Sequence, residues 1–153
     1  MARLQWVILT ERTIIEAQSN TVSLLSIVET VNLPPPPAIE LQPGQTFLVP
    51  FRFYVNQQWA RSDVNRGERV SGRVLLTGPN KKPYARTDFE VNLDVALRGR
   101  VIGQVMGFPY LGEGEYPIVV QVRHGTRWRT VGGTQFDVTL NAQMDAVGSQ
   151  LRH

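Results

Sequence analysis

FEVNLDVAL, residues 89–97, alternates without a break: Phe89, Val91, Leu93, Val95 and Leu97 fall on one side, Glu90, Asn92, Asp94 and Ala96 on the other. A period of two marks an extended strand with one buried face and one wet face. That single stretch sets the expectation for its neighbours. LQWVILT (4–10) is a continuous apolar run, which predicts a strand covered on both sides or lying centrally. TVSLLSIVETV (21–31) alternates with one slip in phase near Leu25, the signature of a β-bulge. FLVPFRFYV (47–55) alternates too, and Pro50 on its second face pushes it towards an edge. RVSGRVLLT (69–77), VIGQVMGF (101–108), EYPIVVQV (115–122) and TQFDVTL (134–140) complete the set.

About eight short strands punctuated by Gly, Pro and Asn predict an all-β chain folded as an antiparallel β-sandwich. TGPNKKPY (77–84) reads as a hairpin loop, and RGR (98–100) as a tight reversal with Gly99 at positive φ. Two segments fall outside the pattern. NQQWARSDVNRGE (56–68) is a polar loop that carries Trp59 as a candidate lid. Residues 141–153 place Met144, Val147 and Leu151 at helical spacing, but Gly148 and the shortness of the segment favour a frayed helix or disordered tail. The expected organisation is one sandwich domain over residues 1–140 and a C-terminal tail over 141–153.

The chain has 153 residues, 42% hydrophobic and 19% charged, values that suit one folded domain. Cysteine is absent, which excludes disulfides, thiolate nucleophiles and Cys-based zinc sites. The apolar run Trp6–Leu9 is too short for a signal-peptide core or a membrane span, so a cytoplasmic protein without a membrane partner is expected. Net charge is +3 and the pI about 9.7, with arginines spread along the chain rather than gathered into one basic track.

ILTERTIIEAQSNTVSLLSIVETVNLPPPP (8–37), LLTGPNKKP (75–83) and GEGEYPIVVQVRHGTR (112–127) resemble an uncharacterised bacterial protein family, a domain of unknown function. The resemblance spans roughly residues 4–140 and rests on strand and turn signatures. It implies an immunoglobulin-like β-sandwich and supplies no catalytic residue. The long 56–68 segment departs from the family pattern.

VRHGTRWRTV (122–131) is the most chemical stretch in the chain. Arg123, Arg127 and Arg129 could neutralise phosphates while Trp128 stacks on a base or sugar. The simpler reading is a hairpin tip turning at Gly125. His124 lacks a nucleophile or ligand partner in the sequence, since His153 is the only other histidine and no Gly-x-Ser-x-Gly elbow exists. Glu113 and Glu115 flank Gly114 at a hairpin mouth, where carboxylates mostly solvate a turn. The run 34–37 of prolines reads as a stiff crossing between sheets rather than a docking peptide. The expectation is therefore a non-enzymatic protein–protein interaction or self-associating module with no cofactor and no metal. Its alternative is binding of an anionic polymer or carbohydrate, with nucleic acid the less favoured case, through Trp59, Arg98, Arg100, Arg123, Arg127, Trp128 and Arg129.

Overall fold

Phe53, Val55 and Trp59 point the same way along one strand, and Tyr116, Ile118, Val120 and Val122 along another; both rows are buried and meet in one core. The computed structural model describes residues 1–35 and 42–140, and every regular element among them is a strand. In chain order these are β1 (Arg3–Ile15), β2 (Val22–Ile27), β3 (Thr30–Leu33), β4 (Leu48–Val49), β5 (Phe53–Ala60), β6 (Glu68–Thr77), β7 (Pro83–Leu93), β8 (Arg98–Val105), β9 (Phe108–Pro109), β10 (Gly114–His124) and β11 (Arg127–Leu140). A four-stranded sheet runs β2-β1-β5-β8, a five-stranded sheet runs β3-β11-β10-β6-β7, and β4 with β9 forms a small two-stranded piece. The architecture is all-β and sandwich-like. Among the described residues no helix is long and apolar enough to cross a membrane.

An aromatic cluster joins the layers. Phe53 of the four-stranded sheet meets Phe136 of the five-stranded sheet edge-on at 5.3 Å. Phe108 lies edge-on to Phe136 at 5.1 Å and to Tyr116 at 5.3 Å. Tyr116 stacks on Phe136 at 5.2 Å. The Tyr116 hydroxyl donates to Gly112 O and accepts the Leu111 N–H, each at 2.8 Å, so its one polar atom is satisfied while the ring stays in the core.

Several expectations change in the folded chain. The alternation at 89–97 holds only as far as Leu93; Val95 is 94% and Leu97 53% exposed. At that point the chain leaves the five-stranded sheet to start β8 in the other one, so the pleat cannot continue. Arg98–Arg100 is consequently the first part of β8 and not a reversal. Gly99 is needed for space: a Cβ there would sit 2.9 Å from Leu93 Cδ2. Pro50 lies between β4 and β5 and divides the stretch 47–55, because it has no N–H for the ladder. The slip at Leu25 is not an inserted residue. The β1/β2 register is unshifted, and Ser26 instead takes a left-handed φ of 57°. Beyond Ile27 the chain crosses to the second sheet, where β3 runs parallel to β11, so the pairing is not antiparallel throughout. Pro50 and the crossing at Val28–Glu29 raise the number of strand segments above the eight or so expected. The polar segment 56–68 shrinks too, because Asn56–Ala60 belong to β5. The tail 141–153 and the second half of the proline run lie outside the described residues.

Arg61 holds the remaining link. Its Nε donates to Leu93 O and its Nη2 to Asp94 O, both at 2.6 Å, and its Nη1 to Val64 O at 3.0 Å. Arg69 pairs with the Asp94 carboxylate beside it. Together they fasten the segment after β5 to the β7–β8 crossing.

Truncating Phe136 to Ala should cost about 3–5 kcal/mol, since the ring contacts Phe53, Phe108 and Tyr116 at once; urea unfolding measures it. The buried Tyr84 hydroxyl has no hydrogen-bond partner among the described residues, and burial raises its pKa. The neutral phenol is therefore favoured in the folded state. The stability that this contributes is whole below the ordinary tyrosine value near 10 and falls as pH rises above it. Tyr84→Phe should unfold at equal or higher urea at neutral pH and lose less stability above about pH 10 than the parent.

Candidate docking hairpin and cationic corner

β1 is longer than the sheet that holds it. Its pairing with β5 ends at Thr10↔Tyr54, and from Arg12 to Ile15 its only partner is β2. A straight strand would carry Thr13 about 17 Å beyond Ile8. Yet the Thr13 hydroxyl donates to Asn56 Oδ1 at 2.7 Å, and Asn56 sits opposite Ile8. The hairpin has bent back over the outer face of the four-stranded sheet. The corner falls where Glu11 and Ser26 drop out of the register, and the left-handed Ser26 allows it.

What lies beneath is polar and closed to water. Asn56 is 1% exposed and Thr10 0%, although both belong to the face turned away from the core. Asn56 Nδ2 donates to Thr10 Oγ1 at 2.9 Å and to Ile8 O at 3.0 Å, so the carboxamide is saturated by its cover and its own sheet. At the far end the β1–β2 turn closes with Glu16 N–H to Thr21 O at 2.9 Å and Asn20 N–H to Glu16 O at 2.8 Å. Its tip is held by Arg100, whose Nη2 donates to Asn20 O at 2.7 Å and to Asn20 Oδ1 at 2.6 Å.

The hairpin exposes several large aliphatic side chains, with Arg12 opposite Leu25 on the face that carries Ile14. Ile14 is 46% exposed, Ile15 50%, Leu25 39% and Ile27 60%. Residues 17–28 carry no charge, and β2 has one free edge. Large aliphatic side chains gathered on one exposed element mark a contact surface. Sequence reasoning met this segment as a bulged strand and passed over it. The uncharged run from Ala17 to Val28 was the signal that could have found it.

The residues singled out from the sequence fall into three separate places. Trp59 is 0% exposed within β5, its Nε1 donating to Gln57 Oε1 at 3.1 Å, so it is core and not a lid. Arg98 and Arg100 share the outer face of the four-stranded sheet, opposite Ala60 and Gln58. Arg123, Arg127, Trp128 and Arg129 belong to the β10–β11 hairpin of the other sheet, which turns at Gly125 with φ 64°. Trp128 and Arg123 are cross-strand neighbours on the outer side of that ribbon, while Arg129 faces Val122 and Arg127 faces His124. One face of the indole is covered: the Arg73 guanidinium lies 4.2 Å over its ring and also donates to Gln121 Oε1 at 2.8 Å. Asp88 and Glu90 line the same hollow as Arg123 and Trp128, which makes it a mixed-charge surface rather than a track for a polyanion. Glu113 is tied to the backbone, its Oε1 accepting the Leu140 N–H at 2.7 Å.

Asn56→Ala should destabilise the chain by about 1–3 kcal/mol, because the Ile8 carbonyl and two threonine hydroxyls lose a buried partner. Amide exchange should quicken over Glu11–Leu25 and stay nearly unchanged in β10. A search of protein-family models and of curated proteins found no match to the chain.

Proposed function

We propose that this protein is a docking module without chemistry of its own, and that the β1–β2 hairpin joins it to a second copy of itself. The observation that carries the reading is the exposure of Ile14, Ile15, Leu25 and Ile27 on that one element. The choice of a second copy follows from charge. In an antiparallel pairing about a two-fold axis each strand faces itself, so any charge it bears is brought near its own copy. β8 carries Arg98 and Arg100, β7 carries Arg86, Asp88 and Glu90, and β3 has four residues followed by Pro34. These are the usual protections of a sheet edge. β2 has neither charge nor proline. The left-handed Ser26 confines regular pairing to Val22–Leu25 and leaves Ile27 to pack beside it.

The sandwich is, on this reading, of the immunoglobulin-like kind. Three features support it. The chain switches sheets between β2 and β3 so that an early strand lies parallel to the last one. β5 and β8 are neighbours in one sheet while β6, β10 and β11 adjoin in the other. Tyr116 opens β10 with its hydroxyl bonded to Gly112 O four residues upstream, the arrangement of a tyrosine corner. No cysteine pair joins the sheets, and the aromatic cluster stands in that place.

Light scattering coupled to size exclusion tests the docking reading. The parent should elute as a dimer that dissociates on dilution, and Leu25→Lys or Ile27→Lys should be monomeric with an unfolding midpoint close to the parent's. Both positions are exposed, so the fold tolerates the change. A parent that stays monomeric at high concentration, or a dimer indifferent to both substitutions, contradicts the proposal.

A further inference from the structure

We propose that the hollow between the hairpin tip and the start of β8 is an anion site that takes a single oxyanion end group, a phosphate or a carboxylate, at Arg98 and Arg100. The inference does not rest on the docking reading, since the arginines belong to β8 and only Val22 of the docking strand borders the hollow. Its walls are Asn20, Thr21, Val22, Gln58, Arg98, Gly99 and Arg100, around a volume of ≈ 390 Å³. None of these side chains is acidic.

Several arginines elsewhere are already engaged. Arg69 pairs with Asp94, Arg86 with Asp88, Arg61 caps three carbonyls, and Arg73 covers Trp128. What marks this corner is that two arginines border one hollow with no carboxylate in its lining. Arg100 meets only the neutral oxygens of Asn20, and Arg98 makes no ion pair or side-chain hydrogen bond among the described residues. Arg3 adds to the positive field from the same face, because Arg3 and Arg98 both pair with Ala60 from opposite sides. Like charges that share one face repel, and an anion between them relieves that repulsion.

The spacing suits an oxyanion. Residues two apart on one strand stand on the same face about 7 Å apart, a gap that one tetrahedral or planar oxyanion spans between two guanidinium forks. Gln58, cross-strand from Arg100, contributes a neutral carboxamide beside them. The hairpin tip closes one side of the hollow. A chain passing through would meet the wall of Asn20 and Thr21, so the shape accepts a terminus or a small molecule rather than the middle of a polymer. Because Asn20 is both wall and partner of Arg100, an anion bound here also steadies the tip.

The test is a titration of the labelled full chain followed by ¹H–¹⁵N NMR, with sodium phosphate and with sodium acetate, each against sodium chloride at equal ionic strength and fixed pH. Saturable shifts are expected at Asn20–Val22 and Gly99 with one or both oxyanions and not with chloride. Phosphate alone points to a phosphorylated ligand, acetate alone to a carboxylate, and both to a site that reads oxyanion charge. In Arg98→Ala the affinity should fall about tenfold or more, while Arg127→Ala on the other sheet should match the parent. Arg98 is exposed, so a spectrum unchanged outside the corner confirms that the variant is folded. The proposal fails if neither oxyanion gives saturable shifts beyond chloride, or if Arg98→Ala binds as well as the parent.

Discussion

The contact between Phe53 and Phe136 is the constraint on which the rest of the molecule depends. Each ring comes from a different sheet, and Phe108 and Tyr116 pack against them to complete the cluster. Rings that must meet edge-on fix both the separation and the relative slide of the two layers. With the layers fixed, the inward side of every strand is assigned, and so is the outward side. Trp59 is drawn into the core by the same assignment: two residues along from Gln57, on the face that carries Phe53, it has no access to solvent.

The outward side of the four-stranded sheet then poses a problem that the hairpin solves. Asn56 alternates with Val55 and Gln57 and must point away from the core, where a carboxamide would ordinarily meet water. Instead β1 overruns the sheet, and the hairpin it forms with β2 bends at Glu11 and Ser26 and lays Thr13 on top of it. The sheet gains a partial third layer made from its own chain. One consequence is that the hairpin's second face, with Ile14 and Leu25, is left in solvent. Another is that its tip arrives beside Arg98 and Arg100. Both candidate surfaces thus descend from one local event in the chain.

The layered β architecture was legible because it rests on period-two alternation, which survives in residues such as Tyr116 to Val122. Turn chemistry was legible where a glycine or a proline dictates it, as at Gly125 and at 77–84. Failures came where the chain changes sheets. Val95 and Leu97 keep the rhythm of the strand before them although the crossing has already begun, and alternation has no way to register that a partner strand has ended. Gly99 was misread because a glycine needed for a close approach looks in sequence like one needed for a turn. The candidate site was less legible still. Arg98 and Arg100 could be chosen as cations, but their grouping with Arg3 and Asn20 comes from register across three strands. Trp128 looked free because nothing near it in sequence announces Arg73.

Among the described residues the outer strands β8, β7 and β3 are guarded by charge, brevity or a following proline, and β2 is not. That asymmetry makes the central claim measurable strand by strand. Hydrogen–deuterium exchange of the full chain at low and high protein concentration addresses it directly, because pairing at an edge withdraws its outward amides from solvent. The account predicts slower exchange at the higher concentration within Val22–Leu25, with β7 and β8 unchanged. Exchange that is independent of concentration throughout, or protection that appears on β7 or β8 instead, would contradict it.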